Sequence, residues 1–123
     1  MERDEFQARH ILIVEDEFLI AEDLEESFTE LGAVVVGPAA SIDRAMELIA
    51  ATPRLDGALV DVNLAGKLAY PVIDALEARK VPFVLMSGYE DQLLRSRYPT
   101  AQNCRKPYDF ADVKRALLAA LPA

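Results

Sequence analysis

Four short, unbroken apolar runs constrain this chain more than any other feature: His10–Val14, Ala33–Val36, Gly57–Asp61 and Val81–Met86. None alternates apolar with polar, so each predicts a strand covered on both faces, as in a parallel sheet. Between the runs the period changes. Ile20, Leu24, Ser27/Phe28 and Leu31 recur at helical spacing, with Glu22, Asp23, Glu25 and Glu26 on a solvated face, and Gly32 as the stop. Gly37-Pro38 closes the second strand. Ser41 caps a second helix striped by Ile42, Ala45, Met46 and Ile49, and Pro53 ends it. Pro71 suits the first turn of a third helix that carries Val72, Ile73 and Leu76 inward. Glu90 to Tyr98 predicts a short fourth helix with a poor stripe, cut by Pro99. A brief fifth strand, Ala101–Arg105, leads to a last helix capped by Asp109 and striped by Phe110, Val113, Leu117 and Leu121. Residues 1–9 are polar and read as a loose segment, and 10–123 as one domain.

Strands alternating with helices through short connections predict an α/β fold: a doubly wound, five-stranded parallel sheet flanked by five helices. Right-handed crossovers leave few topologies, and the order 2-1-3-4-5 is one of the two common ones. Its ligand site lies at the carboxyl ends of the strands. Composition narrows the function. A net charge of −8 argues against nucleic acid, which wants a basic stripe. The lone Cys104 leaves no intramolecular disulfide and suits a reducing cytoplasm, where it packs as an inert strand residue. No leader pattern opens the chain and no run approaches the ~20 apolar residues of a membrane span. A cytoplasmic protein with neither membrane nor nucleic-acid partner is expected.

Four of the strands stop on a residue with chemistry. The first ends at Glu15-Asp16, the third at Asp61, the fourth at Ser87 and the fifth at Lys106. Taken singly each has a plain reading: helix N-terminal acids, a turn serine, a surface lysine. A parallel sheet brings all of them to one edge. Glu15, Asp16 and Asp61 then make an oxygen-rich nest for a hard cation, Asp61 is a carboxylate nucleophile, and Lys106 and Ser87 orient phosphoryl oxygens. His10, before the first strand, reads as structural.

These residues resemble a response-regulator receiver domain over essentially the whole chain. Glu15 and Asp16 fall on the family's acidic pair, Asp61 on its phosphorylated aspartate, Ser87 on its hydroxyl and Lys106, followed by Pro107, on its lysine. The stretch Leu85-Met-Ser-Gly-Tyr89 is similar to the Phe-Ala-Thr-Gly-Tyr-like motif of stand-alone receivers common in alphaproteobacteria. The resemblance implies a flavodoxin-like fold, Mg²⁺ (with Mn²⁺ as an alternative) on Glu15, Asp16, Asp61 and the Asn63 carbonyl, and a cis Lys106-Pro107 bond. It further implies a histidine kinase or histidine phosphotransfer protein as donor and an unknown output protein as partner. Asn63 and Tyr89 sit where receivers tune dephosphorylation. Asn103 departs from the family, which places an aromatic switch residue three positions before the lysine. Phosphorylation is therefore expected to act through the Ser87–Pro99 segment. Two other classes compete: a phosphate-independent interaction module, against which the complete residue set argues, and a haloacid-dehalogenase-like phosphatase, which wants a second Asp where Asn63 stands.

Overall fold

A computed structural model describes residues 5–88 and 92–122. Among these the order is β1 (His10–Val14), α1 (Phe18–Glu30), β2 (Val34–Ala39), α2 (Ile42–Ala51), β3 (Gly57–Asp61), β4 (Asn63–Leu64), β5 (Lys67–Leu68), α3 (Tyr70–Ala78), β6 (Phe83–Ser87), α4 (Gln92–Arg97), β7 (Gln102–Arg105) and α5 (Phe110–Ala120). Five strands form the parallel sheet β2-β1-β3-β6-β7, the expected 2-1-3-4-5 arrangement. β4 and β5 are a small antiparallel hairpin where the sequence reads only as loop.

The pleat sorts the core into two layers. In β1, Ile11 and Ile13 face one side with Leu24, Phe28, Val113 and Leu117 of α1 and α5. Leu12 and Val14 face the other, with Ile49, Ile73 and Leu94 of α2, α3 and α4. β3 is buried along its whole length, which explains its unbroken apolar run. β2 is an edge strand. It does not close at Gly37-Pro38 but runs through a cis Gly37–Pro38 bond to Ala39, with a register break opposite Leu12 and Val14. Proline is tolerated there because an edge strand has a free side.

The helices are tied at their ends. Ser41 Oγ accepts the Arg44 N–H at 3.1 Å, and Asp109 and Asp112 exchange side-chain and backbone bonds as a capping box. Arg79, after α3, donates to the carbonyls of Ile49, Thr52 and Pro53 and so closes the end of α2. α2 turns Leu48 rather than Met46 toward the core, and Met46 is exposed. The expected fourth helix is described from 92 onward, since Tyr89 to Asp91 lie outside the described residues. Its end is anchored more firmly than its stripe implies: Leu94 and Tyr98 are buried, Tyr98 Oη donates to Asp74 at 2.7 Å, and Arg97 pairs with Asp74 at 2.9 Å while lying 4.6 Å from the Tyr70 ring centre.

The amino-terminal segment corrects the expectation of a loose residues 1–9, as far as residues 5–9 are concerned. Phe6 is fully buried, edge-on to Phe28 at 5.2 Å, and Lys114 pairs with Glu5 at 3.1 Å. A single aromatic in a polar stretch has no periodicity to announce its burial. Phe6→Ala should therefore cost about 3–5 kcal/mol in urea unfolding, as for a buried phenylalanine. A loss below about 1 kcal/mol, the scale of surface changes, would mean that the segment is not part of the core.

Candidate functional site

Three main-chain bonds carry the sheet's pairing up to its carboxyl edge. The Glu15 N–H donates to Ala39 O at 2.9 Å, Val62 N–H to Met86 O at 3.0 Å, and Lys106 N–H to Ser87 O at 2.7 Å. The strand ends are therefore fixed relative to one another, and the side chains they bear converge. Lys106 Nζ donates to Asp61 Oδ2 at 2.8 Å and lies 3.8 Å from Glu15 Oε1. Asp61 Oδ1 accepts the Asn63 N–H at 3.0 Å, and Glu15 Oε2 accepts the Glu17 N–H at 3.0 Å. The Lys106–Pro107 bond is cis, as the resemblance implies.

The charges do not balance. Glu15 and Asp61 are only 1% and 3% exposed, Asp16 is half-buried beside them, and the Lys106 ammonium pairs with Asp61 and Glu15. Burial raises the Glu15 pKa most. The Glu17 N–H opposes this, the Asp61 charge adds to it and the Lys106 charge opposes it, leaving the carboxyl pushed up to about 7. Burial also works against the Lys106 ammonium, but its bond to Asp61 and the fields of Asp61, Glu15 and Glu17 outweigh that and raise its pKa. Glu15 Oε1 is buried with no hydrogen-bond partner among the described residues. Carboxylate oxygens of Glu15, Asp16 and Asp61 lie within 4.8 Å of one another. An orphaned buried oxygen in a set of hard donors fits a divalent cation that retains several waters.

The hairpin closes one side. Asp16 Oδ2 accepts the Ala65 N–H at 3.0 Å, and Asn63 Oδ1 accepts the Gly66 N–H at 2.8 Å. Ala65 and Gly66 have φ of 51° and 89°, the left-handed pair a two-residue hairpin turn requires, which alanine adopts only at a cost. Ser87, at the end of β6, directs its hydroxyl to Asn103 Oδ1 at 3.3 Å. A groove of about 790 Å³ runs from Lys106 between α1 and the start of α5, with Leu19, Ile20, Asp23, Tyr108 and Phe110 in its walls.

The structure thus gathers Glu15, Asp16, Asp61, Asn63 and Lys106, with Ser87 at the neighbouring strand end. Tyr89 lies outside the described residues. His10 is at the opposite end of β1, its N–H on Asp56 at 2.7 Å. Cys104 is buried against α5, and burial pushes its thiol up. Sequence reasoning missed the Ala65 bond and the Asn103 acceptor; Tyr108 packs at the start of α5 with Phe110, as its place in the sequence suggests, and burial, then Glu15 and Asp61, raise the pKa of its hydroxyl.

No family model matches the chain. Individual proteins do. It is 33% identical over 117 residues to the phyllosphere-induced regulator PhyR of Methylorubrum extorquens, covering 93% of this chain but 44% of that protein, so it spans less than half of that relative's length. It is 37% identical to SdrG of Sphingomonas melonis, whose solution structure superposes with a TM-score of 0.78 over 92% of this chain and 96% of SdrG. The receiver domain of the Erythrobacter litoralis PhyR response regulator is 30% identical, with 93% and 90% of the two chains covered and a TM-score of 0.79. The chain belongs to the response-regulator receiver family. Its acids Glu15, Asp16 and Asp61, the Ser87 hydroxyl and Lys106 stand at the carboxyl edge of the sheet.

The raised Glu15 pKa gives a pH signature in metal-free receiver. A raised folded-state pKa contributes stability that is fully present below the unfolded value of 4.5 and is lost as pH rises through about 7. Urea unfolding in chelator should show the stability of Glu15→Gln rising relative to the unsubstituted protein across that window. Parallel pH profiles for the two proteins would contradict the assignment.

Proposed function

We propose that this receiver is the phosphoacceptor of a two-component phosphorelay in the cytoplasm. Asp61 takes a phosphoryl group from a histidine kinase or histidine phosphotransfer protein, and the chain then signals by protein–protein contact with an output protein. The observation that carries this reading is the 2.8 Å contact of Lys106 Nζ with Asp61 Oδ2, made inside a three-carboxylate cluster at the sheet's carboxyl edge. In the transfer an Asp61 carboxylate oxygen attacks phosphorus in line. The oxygen–phosphorus bond forms as the nitrogen–phosphorus bond of the donor phosphohistidine breaks, and the bonding pair leaves with the imidazole. Phosphoryl transfer asks mainly for positioning and charge neutralisation, and Lys106, already bonded to Asp61 Oδ2, would lie within reach of an oxygen on phosphorus bound there.

Glu15, Asp16, Asp61 and the Asn63 carbonyl would hold Mg²⁺, or Mn²⁺ in its place. When bound, it would offset the negative charge of phosphoryl oxygens. The Asp16 carboxylate now occupied by the Ala65 N–H would be shared with or given over to it. The groove beside Lys106 is the approach for the donor protein: its walls offer apolar side chains at Leu19 and Ile20, and its rim offers acids at Glu22 and Asp23.

Intact-protein mass after incubation with Mg²⁺ and acetyl phosphate tests the reading. One phosphoryl mass is expected on the unsubstituted protein, none on Asp61→Asn, and none when the metal is chelated. A phosphoryl mass that survives Asp61→Asn would overturn the assignment. Its absence from the unsubstituted protein would favour a phosphate-independent interaction module.

A further inference from the structure

Among the described residues, one hydrogen bond ties the tip of the β4–β5 hairpin to another strand end: the Ala65 N–H donates to Asp16 Oδ2 at 3.0 Å. The base of the hairpin is held differently. Leu64 and Ala69 are buried in the core, and the Ala69 N–H donates to Val62 O at 2.8 Å. The tip has no such packing. Lys67 and Leu68 are exposed, and a Cβ added at Gly66 would meet nothing within 4 Å. Within the turn Asn63 Oδ1 accepts the Gly66 N–H at 2.8 Å, and Ala65 and Gly66 stand at φ of 51° and 89°. An alanine in that region is strained, so the turn is held against the preference of its own backbone. What holds it is a bond to a carboxylate, a class of hydrogen bond roughly twice as strong as a neutral one.

We propose that the hairpin tip is a strained latch that competes with a divalent cation for Asp16: shut, it fills the carboxylate with the Ala65 N–H, and a cation gains that ligand by displacing it. This rests on the cation reading of the Glu15, Asp16 and Asp61 cluster. The N–H and a cation draw on the same negative charge, so the two interactions cannot both be at full strength. When the bond to Asp16 lapses, the tip loses its tie and the turn relaxes from the left-handed region at Ala65. The base stays anchored through Leu64 and Ala69. The exposed Lys67 and Leu68 shift with the tip, so the surface beside the site differs between the two states. Coupling of this kind is reciprocal: whatever favours the shut latch weakens cation binding, and whatever strains it strengthens binding.

Amide hydrogen exchange in ¹⁵N-labelled protein reads the latch directly. In chelator the Ala65 amide should be protected. Saturating Mg²⁺ should abolish that protection while the Ala69 amide, at the base, stays protected. Two variants that touch no carboxylate should then move Mg²⁺ affinity in opposite directions in a calorimetric titration. Ala65→Gly relieves the strain of the shut turn and should weaken binding about fivefold, the low end of a left-handed alanine's cost. Gly66→Ala adds strain to the shut turn without a steric clash and should tighten binding by a similar factor. An Ala65 amide that stays protected at saturating Mg²⁺, or two variants that shift affinity in the same direction or not at all, would overturn the latch and leave the cation reading standing. Absence of Mg²⁺ binding by the unsubstituted protein would instead remove the cation reading, and the latch with it.

Discussion

One ammonium among three carboxylates is the interaction on which the rest of this molecule depends. Lys106 lies 2.8 Å from Asp61 and 3.8 Å from Glu15, with Asp16 alongside. Removing such charges from water is costly, and a buried pair is repaid only where geometry is good and the remaining lone pairs are satisfied. Here they are only partly satisfied. Backbone N–H groups of Glu17, Asn63 and Ala65 each take one carboxylate oxygen, yet Glu15 Oε1 is left with no hydrogen bond among the described residues. The protein answers the excess charge by raising the Glu15 pKa to about 7. A second cation would answer it better.

The fold exists to keep that arrangement at one edge. Continuous pairing from β2 to β7 fixes the strand ends, and the β4–β5 hairpin brings main-chain donors to Asp61 and Asp16. Helices on the two faces bear differently on the site. α1 and α5 frame the groove that opens onto Lys106, while α3 and α4 are knotted through Asp74, Arg97 and Tyr98. Burial, then the bond to Asp74, raises the Tyr98 pKa to about 12, so its hydroxyl remains a donor to that carboxylate at any ordinary pH. The short α4 is thereby secured at its carboxyl end. At β7, Ser87 Oγ donates to Asn103 Oδ1 at 3.3 Å.

Much of this was legible in the sequence because it is local or periodic. Unbroken apolar runs are the mark of strands buried on both faces, and β3 is buried throughout. Residues closing those runs must meet at one edge once the sheet is parallel, so Glu15, Asp16, Asp61 and Lys106 could be grouped before any coordinates. What escaped notice depends on partners distant in sequence. Phe6 is buried because Phe28 lies beneath it, and nothing in residues 1–9 reveals that. Gly37-Pro38 reads as a stop, yet on an edge strand it is only an irregularity. Met46 and Leu48 differ by a fraction of a helical turn, and tertiary packing decides between them. The Asp74–Tyr98 and Ser87–Asn103 bonds each join two elements across a connection that no pattern encodes.

We propose that the acidic cluster is a specific cation site rather than a patch of bulk negative charge. Ligand binding to the folded state alone raises stability by mass action, so the melting temperature reads it directly. Melting should be followed with and without Mg²⁺ in the unsubstituted protein, in Asp16→Asn and in Glu30→Gln, an exposed acid at the end of α1. Mg²⁺ is expected to raise the melting temperature of the unsubstituted protein and of Glu30→Gln alike, and to leave Asp16→Asn nearly unchanged. An equal rise in all three proteins, or none in the unsubstituted one, would contradict it.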